Sequence, residues 1–295
     1  MEYSILTVKI GGSLIGEEEG ERYISNIIED MKKILSSKDS PYNKILIVHG
    51  GGKSVDEEMK KRGLEIKKIC SPSGIESRYT YREARDVYVD VMKKIKDHLV
   101  ERMKESGISA YGIDPQESPV ICERKESVVH LDEKTKKRMI IHDDYSGEMI
   151  TKDNIIVNIK NKIYELFEEN DVIVVPPVGV FEEEGKKVGL NVNGDKLAAY
   201  LSGCVGSKVI VDLTDVEGVY KGGKIIPEIA FIGETDSLID DEEIRGGMKR
   251  KILEGKEAFD KYNPRLEKFI IASGKKENPI TLALNGEGCT VIKRG

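Results

Sequence analysis

The feature that most constrains this chain is its alternation of short β-branched runs with longer segments of helical period. Residues 4–10 (SILTVKI), 44–48 (KILIV), 172–175, 208–213, 268–271 and 289–292 read as strands. Between them, helical periodicity covers about 21–35, 52–61, 81–104, 155–168, 193–203 and 244–261. In the first of these, Ile24, Ile27, Ile28, Met31 and Ile34 share one face. Such alternation predicts an α/β fold, a three-layer αβα sandwich in which helices cover both faces of a largely parallel sheet. One stretch breaks the rule. Residues 119–141 change to the short runs VICER, SVVHL and RMIIH, which predicts an inserted β-hairpin or meander.

A length of 295 residues allows one large α/β domain or two lobes. The polar, turn-prone segment around 179–189 marks the expected boundary, giving lobes 1–185 and 186–295 on one continuous sheet. With 47 Lys and Arg against 53 Asp and Glu the net charge is −6, which argues against a general nucleic-acid binder. No apolar run approaches the roughly 20 residues that a membrane helix needs. The first strand starts almost at once and no signal-peptide pattern precedes it, so a cytoplasmic protein is expected. Cys70, Cys122, Cys204 and Cys289 are too far apart for a C-x-x-C zinc or redox motif and read as reduced thiols.

Two glycine motifs stand where strands end: Lys9-Ile10-Gly11-Gly12-Ser13, and His49-Gly50-Gly51-Gly52 directly before a helix. Glycines there let backbone amides approach an anion, and a helix N-terminus adds free N–H groups and a favourable dipole. Neither motif is a Walker loop or a G-x-G-x-x-G dinucleotide fingerprint, so any phosphate chemistry uses another arrangement. His49 reads as a hydrogen-bonded structural histidine. Asn191-Val192-Asn193-Gly194-Asp195-Lys196 opens a helix, with Asn193 or Asp195 as its cap. Leu213-Thr214-Asp215-Val216-Glu217-Gly218-Val219-Tyr220 follows a strand, and Gly246-Gly247-Met248-Lys249-Arg250-Lys251 starts another helix.

The order KIGGS, HGGG, SRYT, NVNGD, LTDVEGVY and GGM-x-x-K resembles the amino acid kinase family, specifically its acetylglutamate kinase branch, over nearly the whole chain. Within it, Ser71-Pro72-Ser73-Gly74-Ile75-Glu76-Ser77-Arg78-Tyr79-Thr80 looks most like the archaeal kinases that phosphorylate 2-aminoadipate or glutamate held on the small acidic carrier protein LysW. The resemblance implies ATP-dependent conversion of a carboxylate to an acyl phosphate, with Mg²⁺ arriving on ATP rather than at a protein metal site. It places Lys9 and Lys251 beside the moving phosphoryl group and Asp195 as their organiser. Gly51, Gly52, Arg78 and Asn191 would hold the acceptor. Gly11, Gly12, Thr214, Asp215, Gly218, Tyr220, Gly247 and Met248 would lie around ATP. Two positions depart from the family pattern, Tyr81 after Arg-Tyr-Thr and Ile113-Asp114-Pro115 after Gly112.

A carboxylate acceptor agrees with the residues themselves, because it is ionised at pH 7 and needs no general base. The alternatives are a kinase of free N-acetylglutamate and, from a different class, a non-catalytic amino-acid sensor; phosphate-acceptor relatives such as uridylate kinases fit the Arg78 and Asn191 segments less well. The resemblance further implies a homodimer joined through the N-terminal lobe. With the first strand at about residue 4 there is no room for the extra helix of arginine-inhibited hexamers, so arginine insensitivity is expected. A basic patch on the inserted hairpin, comprising Arg124, Lys125, Lys134, Lys136, Lys137 and Arg138, would receive an acidic carrier.

Overall fold

A computed structural model describes residues 3–70, 76–125, 127–131, 138–241, 243–244 and 246–294. Among these described residues, eight strands form the central sheet: β1 (Ile5–Ile10), β2 (Lys44–His49), β3 (Ala110–Gly112), β4 (Val172–Val175), β5 (Val209–Thr214), β6 (Glu228–Ala230), β7 (Lys268–Ser273) and β8 (Cys289–Lys293). Their spatial order is β6-β8-β7-β5-β1-β2-β4-β3, and only the β7–β8 pairing is antiparallel. From β1 the chain first builds outward through β2, then returns to place β5 on the other flank of β1. That reversal puts a crevice beyond the carboxyl ends of β1 and β5, where ligands bind in open α/β sheets.

Among the described residues, eight α-helices accompany the sheet: α1 (Glu17–Ser36), α2 (Gly52–Lys61), α3 (Arg82–Glu105), α4 (Asp153–Glu169), α5 (Gly194–Val205), α6 (Glu234–Ile239), α7 (Gly246–Glu257) and α8 (Pro279–Leu284). Leu6, Val8 and Ile10 of β1 enter a core shared with α1, α2, α3 and α8, while Ile5 enters a second core with α4, α5 and α7. Successive side chains of a strand point to opposite faces, so Lys9 stands on Ile5's face. In β5, Ile210 joins the α5 and α7 core and Val211 and Leu213 the other, which puts Asp212 on Lys9's face as well. Cross-strand register makes Lys9 and Asp212 direct neighbours.

The regular alternation is where the sequence expected it, and α2 and β4 have the expected bounds. Three differences are informative. The expected lobe boundary is a β-hairpin, Val178–Glu183 with Lys186–Asn191, turning at Glu184 and Gly185, both of positive φ. The run VICER does not join the inserted hairpin: Cys122–Arg124 pairs with Gly147–Met149, and only Ser127–Leu131 and Arg138–His142 form the hairpin itself. Finally, the edge strands β3 and β6 are three residues each, too short to show a period.

The basic patch assigned to that hairpin is therefore divided. Arg124 lies 2.9 Å from Glu183 and 3.0 Å from Asp143, and its guanidinium stands over the Tyr145 ring, so it is committed to holding the fold. Lys125 pairs with Glu148. Arg138 is exposed on the hairpin, while Lys134, Lys136 and Lys137 lie outside the described residues. The hairpin is tied to the strands around Arg78, with Cys70 N donating to His130 Nδ1 at 3.0 Å and the Tyr79 hydroxyl to the His142 carbonyl at 2.8 Å. No described helix is long and apolar enough to cross a membrane.

Candidate active site

The two glycine motifs meet backbone to backbone. Gly50 N donates to Ile10 O at 2.7 Å and Gly11 N to Leu213 O at 2.8 Å. A Cβ at Gly12 would stand 2.6 Å from Gly51 N, and one at Gly50 2.5 Å from Gly12 N. Gly51 is closed off by Met92 and Ile95. At Gly52 an added Cβ would meet, among the described residues, the Arg78 guanidinium alone, at 3.9 Å. Gly51 caps α2 without any side-chain bond, and Gly50, Gly51 and Gly52 line a cavity of about 760 Å³ at the start of this helix. His49, just before the loop, is fully buried, and burial pushes its pKa down to about 4; its Nδ1 lies 2.9 Å from the Gly50 carbonyl. It does not line the cavity.

On the cavity's floor are the two lysines, brought from opposite ends of the chain. Lys9 Nζ lies 2.6 Å from Asp195 and 3.2 Å from Asp212. Lys251 Nζ lies 3.1 Å from Asp195 and 2.6 Å from Asp212. The four groups thus form a closed ring of alternating charge. Burial works against the charge on Lys251, but Asp195, Asp212 and Glu254 outweigh it and raise its pKa well above the usual lysine range. Burial likewise opposes ionisation of Asp195, yet Lys251 and Lys9 hold its carboxyl well below the ordinary range. Lys251 is therefore a cation at neutral pH, and both lysines are held by the same two carboxylates.

Asp195 is free for this ring because Asn193, not Asp195, caps α5 by accepting from Lys196 N at 2.9 Å. Asp212 and Glu254 escaped sequence reasoning. The signal for Asp212 was an acid inside the apolar run VIVDL, since a buried strand carboxylate requires a partner. Glu254 sits one turn after Lys251, accepts from Arg250 Nε at 2.8 Å and from Asn193 at 3.4 Å, and lies 3.8 Å from Lys251.

Burial, and then the adjacent Asp195, push Glu254 up to about 7 from an ordinary value of 4.5. The folded protein therefore binds this proton more tightly than the unfolded chain. Its contribution to stability is full below pH 4.5 and is lost as pH rises through about 7. Glu254→Gln is expected to remove that part of the decline in urea midpoint across this window. Parallel profiles for the two proteins would show instead that Glu254 titrates as an ordinary glutamate.

Arg78 reaches the cavity from the other side. Asp56 pairs with its Nη1, and its Nη2 donates to Gly52 O at 2.9 Å. Asn191 also lines the cavity and donates to Thr80 Oγ1 at 2.8 Å, joining the SRYT and NVNGD segments. Residues 71–75, shortly before the SRYT segment, fall outside the described residues. Tyr81 and Asp114, the departures from the pattern, point elsewhere: Tyr81 donates to the Glu65 carbonyl and Asp114 pairs with Lys93. Neither lines the cavity.

Of the residues expected around ATP, Gly12 lines the cavity and Gly11 packs behind it on Leu213. Thr214, Asp215, Gly218, Tyr220 and Met248 do not line it, and Gly247 falls in the first turn of α7. They gather instead beyond the end of β5 and at the start of α7. Thr214 Oγ1 donates to Asp215, Tyr220 N to the Met248 sulfur at 3.3 Å, and Gly218 packs on Thr290. Met248 is one turn before Lys251, so this second cluster adjoins the lysine ring. Among the described residues, no group of three His, Cys, Asp or Glu is placed to hold a metal ion.

A model of the amino acid kinase family matches residues 4–267. The chain belongs to that family. Two relatives in it show how far the likeness extends. The putative [LysW]-aminoadipate/[LysW]-glutamate kinase of Nitrosopumilus maritimus is 34% identical, covering 98% of this chain and 99% of its own. The [LysW]-aminoadipate/[LysW]-glutamate kinase of Saccharolobus solfataricus is 35% identical, covering 99% of this chain and all of its own. Solved structures share the fold: N-acetylglutamate synthase from Neisseria gonorrhoeae (TM-score 0.73, 15% identity, 99% of this chain and 60% of that one) and carbamate kinase from Giardia lamblia (TM-score 0.64, 14% identity, 99% of both). As an amino acid kinase the protein is a phosphotransferase, and the family implies ATP as its phosphoryl donor.

Proposed function

We propose that this amino acid kinase transfers the γ-phosphoryl group of ATP to the side-chain carboxylate of 2-aminoadipate or glutamate carried on a LysW protein. The observation that carries the reaction type is the lysine ring in a cavity that Arg78, Asn191 and the Gly50–Gly52 loop also line. The acceptor is supported by relatives of that name over the full chain.

The acceptor carboxylate is already a nucleophile, so the protein's work is positioning and charge stabilisation. Arg78, steadied by Asp56 and the Gly52 carbonyl, offers its guanidinium to a carboxylate of the acceptor, and Asn191 its amide. Lys9 and Lys251 offset negative charge as the phosphoryl group moves between oxygens. Thr214, Asp215, Gly218, Tyr220, Gly247 and Met248 hold the nucleotide, and Mg²⁺ arrives on its phosphates. Residues 1–185 carry the acceptor half, to which Asn191 is added from the other side of the boundary, and 186–295 the nucleotide half, in a cytoplasmic homodimer joined through the first of them.

Hydroxylamine trapping tests the reading. With ATP, carrier-linked aminoadipate or glutamate should yield hydroxamate far faster than free N-acetylglutamate; the reverse preference would make the protein an acetylglutamate kinase.

Docking of an acidic carrier at the hairpin is part of the same reading. Reversing Lys136, Lys137 and Arg138 to Glu should slow association about 10-fold or more at low salt and flatten its salt dependence. Turnover of a small free acceptor should be unchanged. Equal loss with both acceptors would reduce the hairpin's charge to a solubilising role.

A further inference from the structure

We propose that Asp212 is a positioning residue for phosphoryl transfer, anchoring both ring lysines from the sheet side while Asp195 is the partner that yields to incoming anions. The two carboxylates occupy unequal places. Asp195 opens α5 and lines the cavity. Asp212 is 1% exposed, does not line the cavity, and belongs to the rigid middle of the sheet as the cross-strand neighbour of Lys9. Both carboxylates touch both ammonium groups. An anion entering from the cavity meets the Asp195 side of the ring and competes there for N–H donors. Each ammonium has three such donors and can keep its Asp212 contact while it turns one toward phosphate.

The division of labour matters because lysine is a flexible four-carbon stem with a point charge. A ring closed only through Asp195 would let both ammonium groups follow Asp195 or swing onto Glu254, which lies 3.8 Å from Lys251. Asp212 removes that freedom without standing in the path of substrate. It also raises the pKa of Lys251, together with Asp195 and Glu254 and against burial.

This inference rests on the reading that Lys9 and Lys251 flank the phosphoryl group, and its test separates the two. Asp212→Asn keeps the side chain's shape and removes its charge. Its kcat should fall about 10–100-fold, the range expected for small misplacement of reacting groups, with the KM for ATP unchanged or lowered. The ¹³C resonance of the Lys251 ε-carbon, which needs no acceptor, should report a lower pKa than in the wild type, and the alkaline limb of kcat should move to lower pH with it. Asp212→Glu restores the charge, should return the Lys251 titration toward wild type, and serves as the measured variant where Asn folds poorly. An unchanged Lys251 pKa in Asp212→Asn, or a KM for ATP that rises while kcat is kept, would overturn the role of Asp212. A wild-type enzyme that phosphorylates no carboxylate would overturn the acceptor reading instead, while the NMR titration would still decide Asp212.

Discussion

Lys251→Ala is expected to lower kcat by about 10²–10³-fold while the KM for ATP changes only a few-fold, the loss typical of removing one preorganised group that stabilises developing charge. In the resting enzyme the ammonium of Lys251 is already balanced by Asp195 and Asp212 at 3.1 and 2.6 Å. Its interaction with a bound nucleotide in the ground state is therefore partly offset. The offset matters less when charge concentrates on the oxygens of the moving phosphoryl group, and only interactions that strengthen in the transition state raise kcat. Lys9→Ala should behave alike, since it shares both carboxylates. Steady-state kinetics with ATP varied at saturating acceptor checks this. A variant of near wild-type turnover would remove that lysine from the mechanism.

Gly50→Ala is expected to harm both fold and function. The added Cβ would lie 2.5 Å from Gly12 N and 3.1 Å from Gly12 Cα. Both are backbone atoms, so no side-chain rotation relieves the clash, and the two glycine loops must separate. Overpacking of this kind costs about 1–3 kcal/mol. Gly12 follows Lys9 by three residues and Gly52 touches Arg78, so separation shifts both walls of the cavity, and a displacement near 1 Å costs about 10²-fold in rate. Urea unfolding and turnover measured on the same preparation check the two effects together. At Gly52, where the space is open toward Arg78, Ala should leave stability nearly intact and act mainly on acceptor binding. Full activity in Gly50→Ala would show that the loops need not touch.

The sheet was legible because its strands are runs of Ile, Val and Leu buried on both faces, and α1 because its apolar residues keep a strict 3.6 period. Lys9, Lys251, Asp195, Gly51, Gly52, Arg78 and Asn191 were legible through motifs, and the structure brings all seven to one cavity although they span more than 240 residues of sequence. What stayed hidden carried no local sign of its partners. Asp212 belongs to no motif, and its partners are set by strand register and by a helix about forty residues later. Asp56 hides among the charges of α2 until Arg78 folds onto it. Arg124 looked like a surface cation because composition does not reveal Glu183, Asp143 and the Tyr145 ring around it. Strands of three residues such as β3 are recognised by what they pair with, not by their own pattern.

Isotope transfer from the acceptor tests the central claim most directly. Carrier-linked aminoadipate or glutamate with both side-chain carboxylate oxygens as ¹⁸O is incubated with the enzyme, MgATP and hydroxylamine, and the released phosphate is examined by ³¹P NMR. Attack of the carboxylate on the γ-phosphorus makes an acyl phosphate with ¹⁸O as its bridging atom; hydroxylamine then takes the acyl carbon and expels phosphate carrying that oxygen. One ¹⁸O is expected in each phosphate released, in equal amount to hydroxamate, with its loss in Lys251→Ala. Unlabelled phosphate would mean that water, not the carboxylate, receives the phosphoryl group, and would contradict it.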